Sequence, residues 1–169
     1  MKNKQPNDSL KVKGMFRIQI DESGKMVGDS GWKRNTITNL GFQQYLVLSL
    51  GSLSGSKYVS HISIANNTSA IDPTATGLTT ELDKRTTVTA NGTILSGSKS
   101  LRFTGAFLSS LNTNAASAWI AASNATRTIQ SVGLFNTSSG GTMFAGNTFS
   151  SSTIATNQSL YFTYDIQFA

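Results

Sequence analysis

The segment LYFTYDIQF, residues 160–168, decides the fold. Leu160, Phe162, Tyr164, Ile166 and Phe168 share one face at period 2, and Tyr161, Thr163, Asp165 and Gln167 share the other, as in a strand with one buried side. Upstream, TIQSVGLFN (128–136) and TMFAGNTF (142–149) read as two more strands. The TSSGG run between them supplies two glycines for a tight connection, so the pair is expected to be antiparallel. In MFRIQIDESGKMV (15–27), Phe16, Ile18 and Ile20 alternate with Met15, Arg17 and Gln19 and close in a turn at Gly24.

Further strands are expected in WKRNTIT (32–38), at 58–64, in SKSLRFTGAFLSS (98–110), and from RTTVTA (85–90) through a hairpin turn at Asn91-Gly92. Residues 65–84 read as a long loop punctuated by Asp72-Pro73 and Gly77. LNTNAASAWIAASNAT (111–126) fits either a loop or a short helix around Trp119 and Ile120. In NLGFQQYLVLSLG (39–51), Phe42, Tyr45, Leu46 and Leu50 recur at helical spacing, with Asn39 as the expected cap and Gly51 as the stop. The expected fold is therefore all-β: an antiparallel β-sandwich, jelly-roll-like or Ig-like, with one short α-helix near 39–50. Residues 1–13, Lys-rich and containing Pro6, are expected to form a flexible basic N-terminal arm on a single domain of residues 14–169.

Composition agrees with strands. Ser, Thr, Asn and Gln make up 65 of the 169 residues, and the first three compete for the backbone inside helices. It also narrows the chemistry. With no cysteine, disulfides, thiolate zinc sites and thiol nucleophiles are excluded, and with His61 alone no multi-histidine metal site can form. His61 falls on the more polar face of its strand and reads as a half-exposed strand histidine. No phosphate-binding glycine loop is present, and no cofactor is expected. The glycosidase-like pairing of Asp72 with Glu81 requires those carboxyls to converge with one pKa raised, and an enzyme is not expected.

The net charge of +6 is uneven: residues 1–34 hold 8 of the 14 basic groups, and the rest of the chain is nearly uncharged. A basic stripe interleaved with aromatics is missing from the body, so nucleic acid is not an expected partner. Lys2, Lys4, Lys11 and Lys13 are the candidate partner-binding residues, facing an acidic protein surface. No apolar run approaches a membrane span and no secretion signal is legible, so the chain is expected to be made in the cytoplasm without a membrane partner. The Asn-x-Ser/Thr sequons, among them those at Asn66, Asn67, Asn91, Asn124, Asn136 and Asn157, are then expected to stay unmodified.

Three segments, DSGWKRNTITNLGFQQYL (29–46), SHISIANNTSAIDPTATGLTTELDKR (60–85) and IQSVGLFNTSSGGTMFAGNTFS (129–150), resemble in the same order those of small β-rich structural proteins of tailed bacteriophages. The matching residues are Trp32, Asn35, Thr38, Asn39 and Gly41, then Leu82, Asp83 and Arg85, then 132–136 and 140–145. The Lys-rich arm lies outside the pattern. The resemblance implies a virion protein, foremost a capsid decoration or cement protein that binds the major capsid protein as a homo-oligomer, with a trimer favoured. It carries over no catalytic residue and no small-molecule substrate. Two other expectations stand beside it: a tail, baseplate or fibre-base component, and a carbohydrate-binding module using the 65–80 loop and Trp119 or Tyr161 as stacking platforms.

Overall fold

The C-terminal strand is the spine of the first sheet. In the computed structural model, which describes residues 11–91, 99–109 and 126–168, strand β11 (Gln158–Phe168) buries Leu160, Phe162, Tyr164 and Ile166 while Tyr161 stays exposed. On one side it pairs antiparallel with β1 (Val12–Glu22), from Val12 opposite Phe168 to Glu22 opposite Gln158. On the other it pairs with β8 (Ser100–Phe107), placing Phe107 opposite Leu160. The inward faces match because period-2 alternation runs in the same phase on all three strands.

The strand β2 (Lys25–Asp29) returns from β1 through Ser23 and Gly24, both at positive φ (54° and 85°), the two-residue hairpin geometry that follows the natural strand twist. With β7 (Thr89–Asn91) on β8 and the short β3 (Lys33–Arg34) also on β1, the sheet order is β2-β1-β11-β8-β7. The second sheet runs β4-β10-β9-β5-β6, built from Thr36–Ile37, Met143–Ile154, Arg127–Phe135, His61–Ala65 and Glu81–Thr87. All recorded pairings are antiparallel. The core lies between the sheets, where Phe16, Phe103, Phe107 and Phe162 meet Ile62, Ile64, Leu134 and Phe144. An antiparallel β-sandwich is thus the architecture; neither finer type, jelly-roll-like or Ig-like, follows from these strand orders.

Several boundaries differ from the sequence reading. Val12 and Lys13 belong to β1 rather than to the arm, because the ladder with β11 extends to Phe168 and Gln167. WKRNTIT is not one strand: β3 joins the first sheet and β4 the second, with Asn35 at the corner, its N–H donating to the Gly14 carbonyl at 3.1 Å. A second switch occurs at Val88, between β6 and β7. The expected 58–64 strand starts at His61, and β6 begins at Glu81, which shortens the loop to 66–80. This loop is an ordered cover: Asn39 N–H donates to Pro73 O at 2.7 Å and Met143 N–H to Thr76 O at 2.9 Å. The Asn91-Gly92 turn and the 111–125 segment with Trp119 lie outside the described residues, and β7 pairs with β8.

The helical segment α1 spans residues 39–50 as expected, but Thr38 rather than Asn39 caps it, its Oγ1 accepting from Gly41 N–H at 2.9 Å. Its middle, Phe42–Val47, is a π-helix. Gly51 ends it.

Candidate functional site

The arm's lysines were the sequence's candidate site. Lys2 and Lys4 lie outside the described residues; Lys11 and Lys13 are exposed where the chain enters β1, with Lys13 opposite Gln167. The fold adds two cations. Strand β3 sets exposed Lys33 and Arg34 beside β1: Arg34, opposite Met15, shares a shallow concavity of about 270 Å³ with Val12, Lys13 and Ile37, whereas Lys33, opposite Phe16, lines a separate one with Asp29 and Phe149. The described ion pairs join Arg17 to Asp29, Arg85 to Glu81 and Arg102 to Asp165. Lys11, Lys13, Lys33 and Arg34 take part in none of them. The Arg17 guanidinium, helped by Gly31 N–H, holds the Asp29 carboxyl down at about 2, so that carboxylate stays charged and committed to Arg17 rather than to the lysines.

The residues of the three resembling segments converge elsewhere, on the β9–β10 hairpin. Arg85 lies 3.5 Å from the Phe135 ring centroid, forks onto Glu81 with bonds of 2.9 and 2.7 Å, and donates to the Thr137 carbonyl at 3.1 Å. Glu81 also accepts from Ser63 Oγ at 2.9 Å. From the other side, Thr38 Oγ1 donates to Met143 O at 2.7 Å, and Gly41 sits so close to Phe144 O that a Cβ there has no room. Buried Tyr45 donates to Thr142 O, and burial pushes its hydroxyl well above the usual phenol range. These residues clamp the hairpin from both ends. Glu81, absent from the matching set, was findable: it shares the parity of Arg85 on one strand.

The catalytic candidates do not assemble. Asp72 accepts from Thr74 N–H and Oγ1, which lowers its pKa, the opposite of what a general acid needs. Glu81 is taken up by Arg85. His61 is half-buried with Nδ1 2.7 Å from Ser60 Oγ, and no carboxylate among the described residues bonds to its ring. No cluster of three or more potential metal ligands occurs among the described residues. Burial, then the Arg85 guanidinium, lowers the His61 pKa below 6.5. The unfolded chain therefore protonates first as pH falls, so this histidine's contribution to stability is complete above 6.5 and shrinks below it. His61→Gln should flatten the fall in melting temperature between about pH 6.5 and 5; an unchanged slope would assign that fall to other groups.

Tyr161 does stand exposed, at the edge of an open groove of about 510 Å³ lined by Gln19, Thr89, Thr104 and Thr163 with no charged side chain. Trp119 lies outside the described residues. No described helix is long and apolar enough to cross a membrane.

The chain matches no family model, and no curated protein or solved structure is significantly similar to it. The class defined by the fold and its surfaces is an all-β sandwich with a weakly charged body and exposed cations, among them Lys13 and Arg34, at the root of its N-terminal segment.

Proposed function

We propose that this protein is a structural component of a tailed-phage virion, a capsid decoration or cement protein that binds the assembled major capsid protein shell as a homo-oligomer, with a trimer favoured. The observation that carries the reading is the set of exposed cations at the root of the arm, Lys11, Lys13 and Arg34, none of which is in an ion pair among the described residues. Cations in no ion pair among the described residues can pair with an acidic surface, and the β1–β11 and β1–β3 ladders anchor Lys13 and Arg34 to the sandwich. A subunit that binds only the assembled shell stabilises it by mass action. The clamped β9–β10 hairpin gives the rigid contact area this needs, since a preorganised surface loses little entropy on docking.

The ladder sets the design of the test. Deletion of residues 1–10 leaves β1 intact, whereas deletion through 13 removes two paired positions. In co-sedimentation with purified shells, replacing Lys11, Lys13 and Arg34 together by Glu should weaken binding by about tenfold or more, the 1–10 deletion, which removes Lys2 and Lys4, should weaken it further, and wild-type binding should fall steeply between about 0.05 and 0.5 M salt. Salt-independent binding unaffected by the deletion would overturn the role of the arm. A tail or baseplate component would bind tail structures instead of shells.

The exposed Tyr161 beside a neutral, hydroxyl-lined groove favours one second reading, a carbohydrate-binding module. On that reading Tyr161→Ala should abolish binding to neutral oligosaccharides measured by calorimetry. Undetectable wild-type binding at millimolar sugar would remove it.

A further inference from the structure

The helical segment breaks its own pattern. At 3.6 residues per turn, Phe42, Tyr45, Leu46 and Leu50 would share one buried stripe; Tyr45 is buried and Leu46 packs against the core, but Phe42 is 41% and Leu50 84% exposed. Between them lies the π turn, in which Leu48 N–H reaches back five residues to Gln43 O and shifts the register of the two ends relative to the core. Such turns are rare and collect at functional sites. Val47, Leu53 and Tyr58 are exposed as well, and the return segment is tied along the helix by Leu53 N–H to Leu48 O and Lys57 N–H to Gln44 O, each at 3.0 Å. Together the five side chains expose on the order of 500 Å², at the upper end of what a monomer shows in one patch.

We infer that this strip, Phe42, Val47, Leu50, Leu53 and Tyr58, is the surface through which copies of this chain associate with one another. Charge selects the occupant. Each copy carries +6, so copies approach most easily where cations are sparse, and residues 41–56 contain no charged residue at all. Lys57, beside the strip, donates to Thr142 Oγ1 at 2.8 Å, which directs its ammonium toward the β9–β10 hairpin. An acidic partner finds nothing to pair with here, and a membrane-lying strip would carry flanking lysines and arginines. The rim of Gln43, Ser49, Ser52 and Ser54 is neutral and both donates and accepts, so it complements a copy of itself around a symmetry axis. The strip supplies the apolar centre and the rim the remainder of the roughly 800 Å² per partner of a standard interface. This names the contact behind the homo-oligomer proposed above but does not need the virion, since it is tested on the free protein and the virion reading on particles.

The test is sedimentation equilibrium of the full chain across about 1–100 μM, a range matched to transient and stable contacts alike. Wild type should reach a multiple of the 18.0 kDa protomer mass. Leu50→Glu should weaken association at least about tenfold, as loss of a central anchor does, while Lys25→Glu, at an exposed position on β2, leaves it unchanged. Leu50 is so exposed that the substitution spares the fold, checked by far-UV circular dichroism; Leu53→Gln gives the same readout if it does not. A wild-type protein that stays at 18.0 kDa throughout, or an oligomer indifferent to both substitutions, overturns the inference.

Discussion

Phe144→Ala should cost about 3–5 kcal/mol, a fifth or more of the roughly 5–15 kcal/mol that holds a domain of this size together. Phe144 is the piece that joins three elements. Its ring is 1% exposed, stands 5.2 Å from Tyr45 on α1 and 6.5 Å from Tyr164 on the opposite sheet, and its carbonyl accepts from Thr38 N–H at 3.0 Å. Truncation opens a cavity between sheets and helix that neither tyrosine can collapse into, because Tyr45 is held at Thr142 O and Tyr164 at Asn35. The melting temperature should drop by about 10 °C. Phe149→Ala is the comparison: that ring is only partly buried, 6.1 Å from Phe16, and should cost about half as much or less. Equal losses would mean that Phe144 is ordinary core rather than the joint.

Arg85→Ala should cost about 3 kcal/mol, because it strands the partners of a guanidinium that is 6% exposed. Glu81 keeps only Ser63 Oγ, the Thr137 carbonyl loses a donor, and the Phe135 ring loses the cation above it. Glu81 remains about a quarter exposed, so water recovers part of the loss and the cost stays at the lower end of about 3–5 kcal/mol. Arg85→Lys should recover less than half, since an ammonium cannot fork onto both carboxylate oxygens. The double substitution Arg85→Ala with Glu81→Gln should be less destabilising than the two single effects added, because one interaction is then counted once. Chemical denaturation of the four proteins gives the coupling directly, and strict additivity would contradict the clamp.

What could be read from the chain was whatever depends on parity. Leu160 to Phe168 announces its buried face because alternation survives any choice of neighbours, and the Ser23-Gly24 and Gly140-Gly141 turns are marked by residues that accept positive φ. What parity cannot say is which sheet a strand joins. Asn35 and Val88 switch sheets inside runs that look continuous, so β3 and β4 were read as one strand and β6 and β7 as another. The cap was off by one because Thr38 and Asn39 are both capping side chains, and only the Met143 carbonyl above Thr38 decides between them. The π turn is invisible to a 3.6-residue pattern, so of the stripe Phe42, Tyr45, Leu46 and Leu50 only the middle two pack inward and the two ends are exposed. For the candidate site, the lysines at 11 and 13 were legible, whereas Arg34 joins them only through the corner at Asn35.

The most direct test of the proposed virion reading is to look for this protein in purified tailed-phage particles from a lysate that carries its gene and to count its copies per particle by quantitative mass spectrometry against the major capsid protein. A cement protein that covers the shell predicts a ratio near stoichiometric, falling when residues 1–10 are removed. Only a few copies per particle would contradict lattice-wide binding and place the protein in the tail or at a single vertex, and no copies at all would reject the virion reading itself.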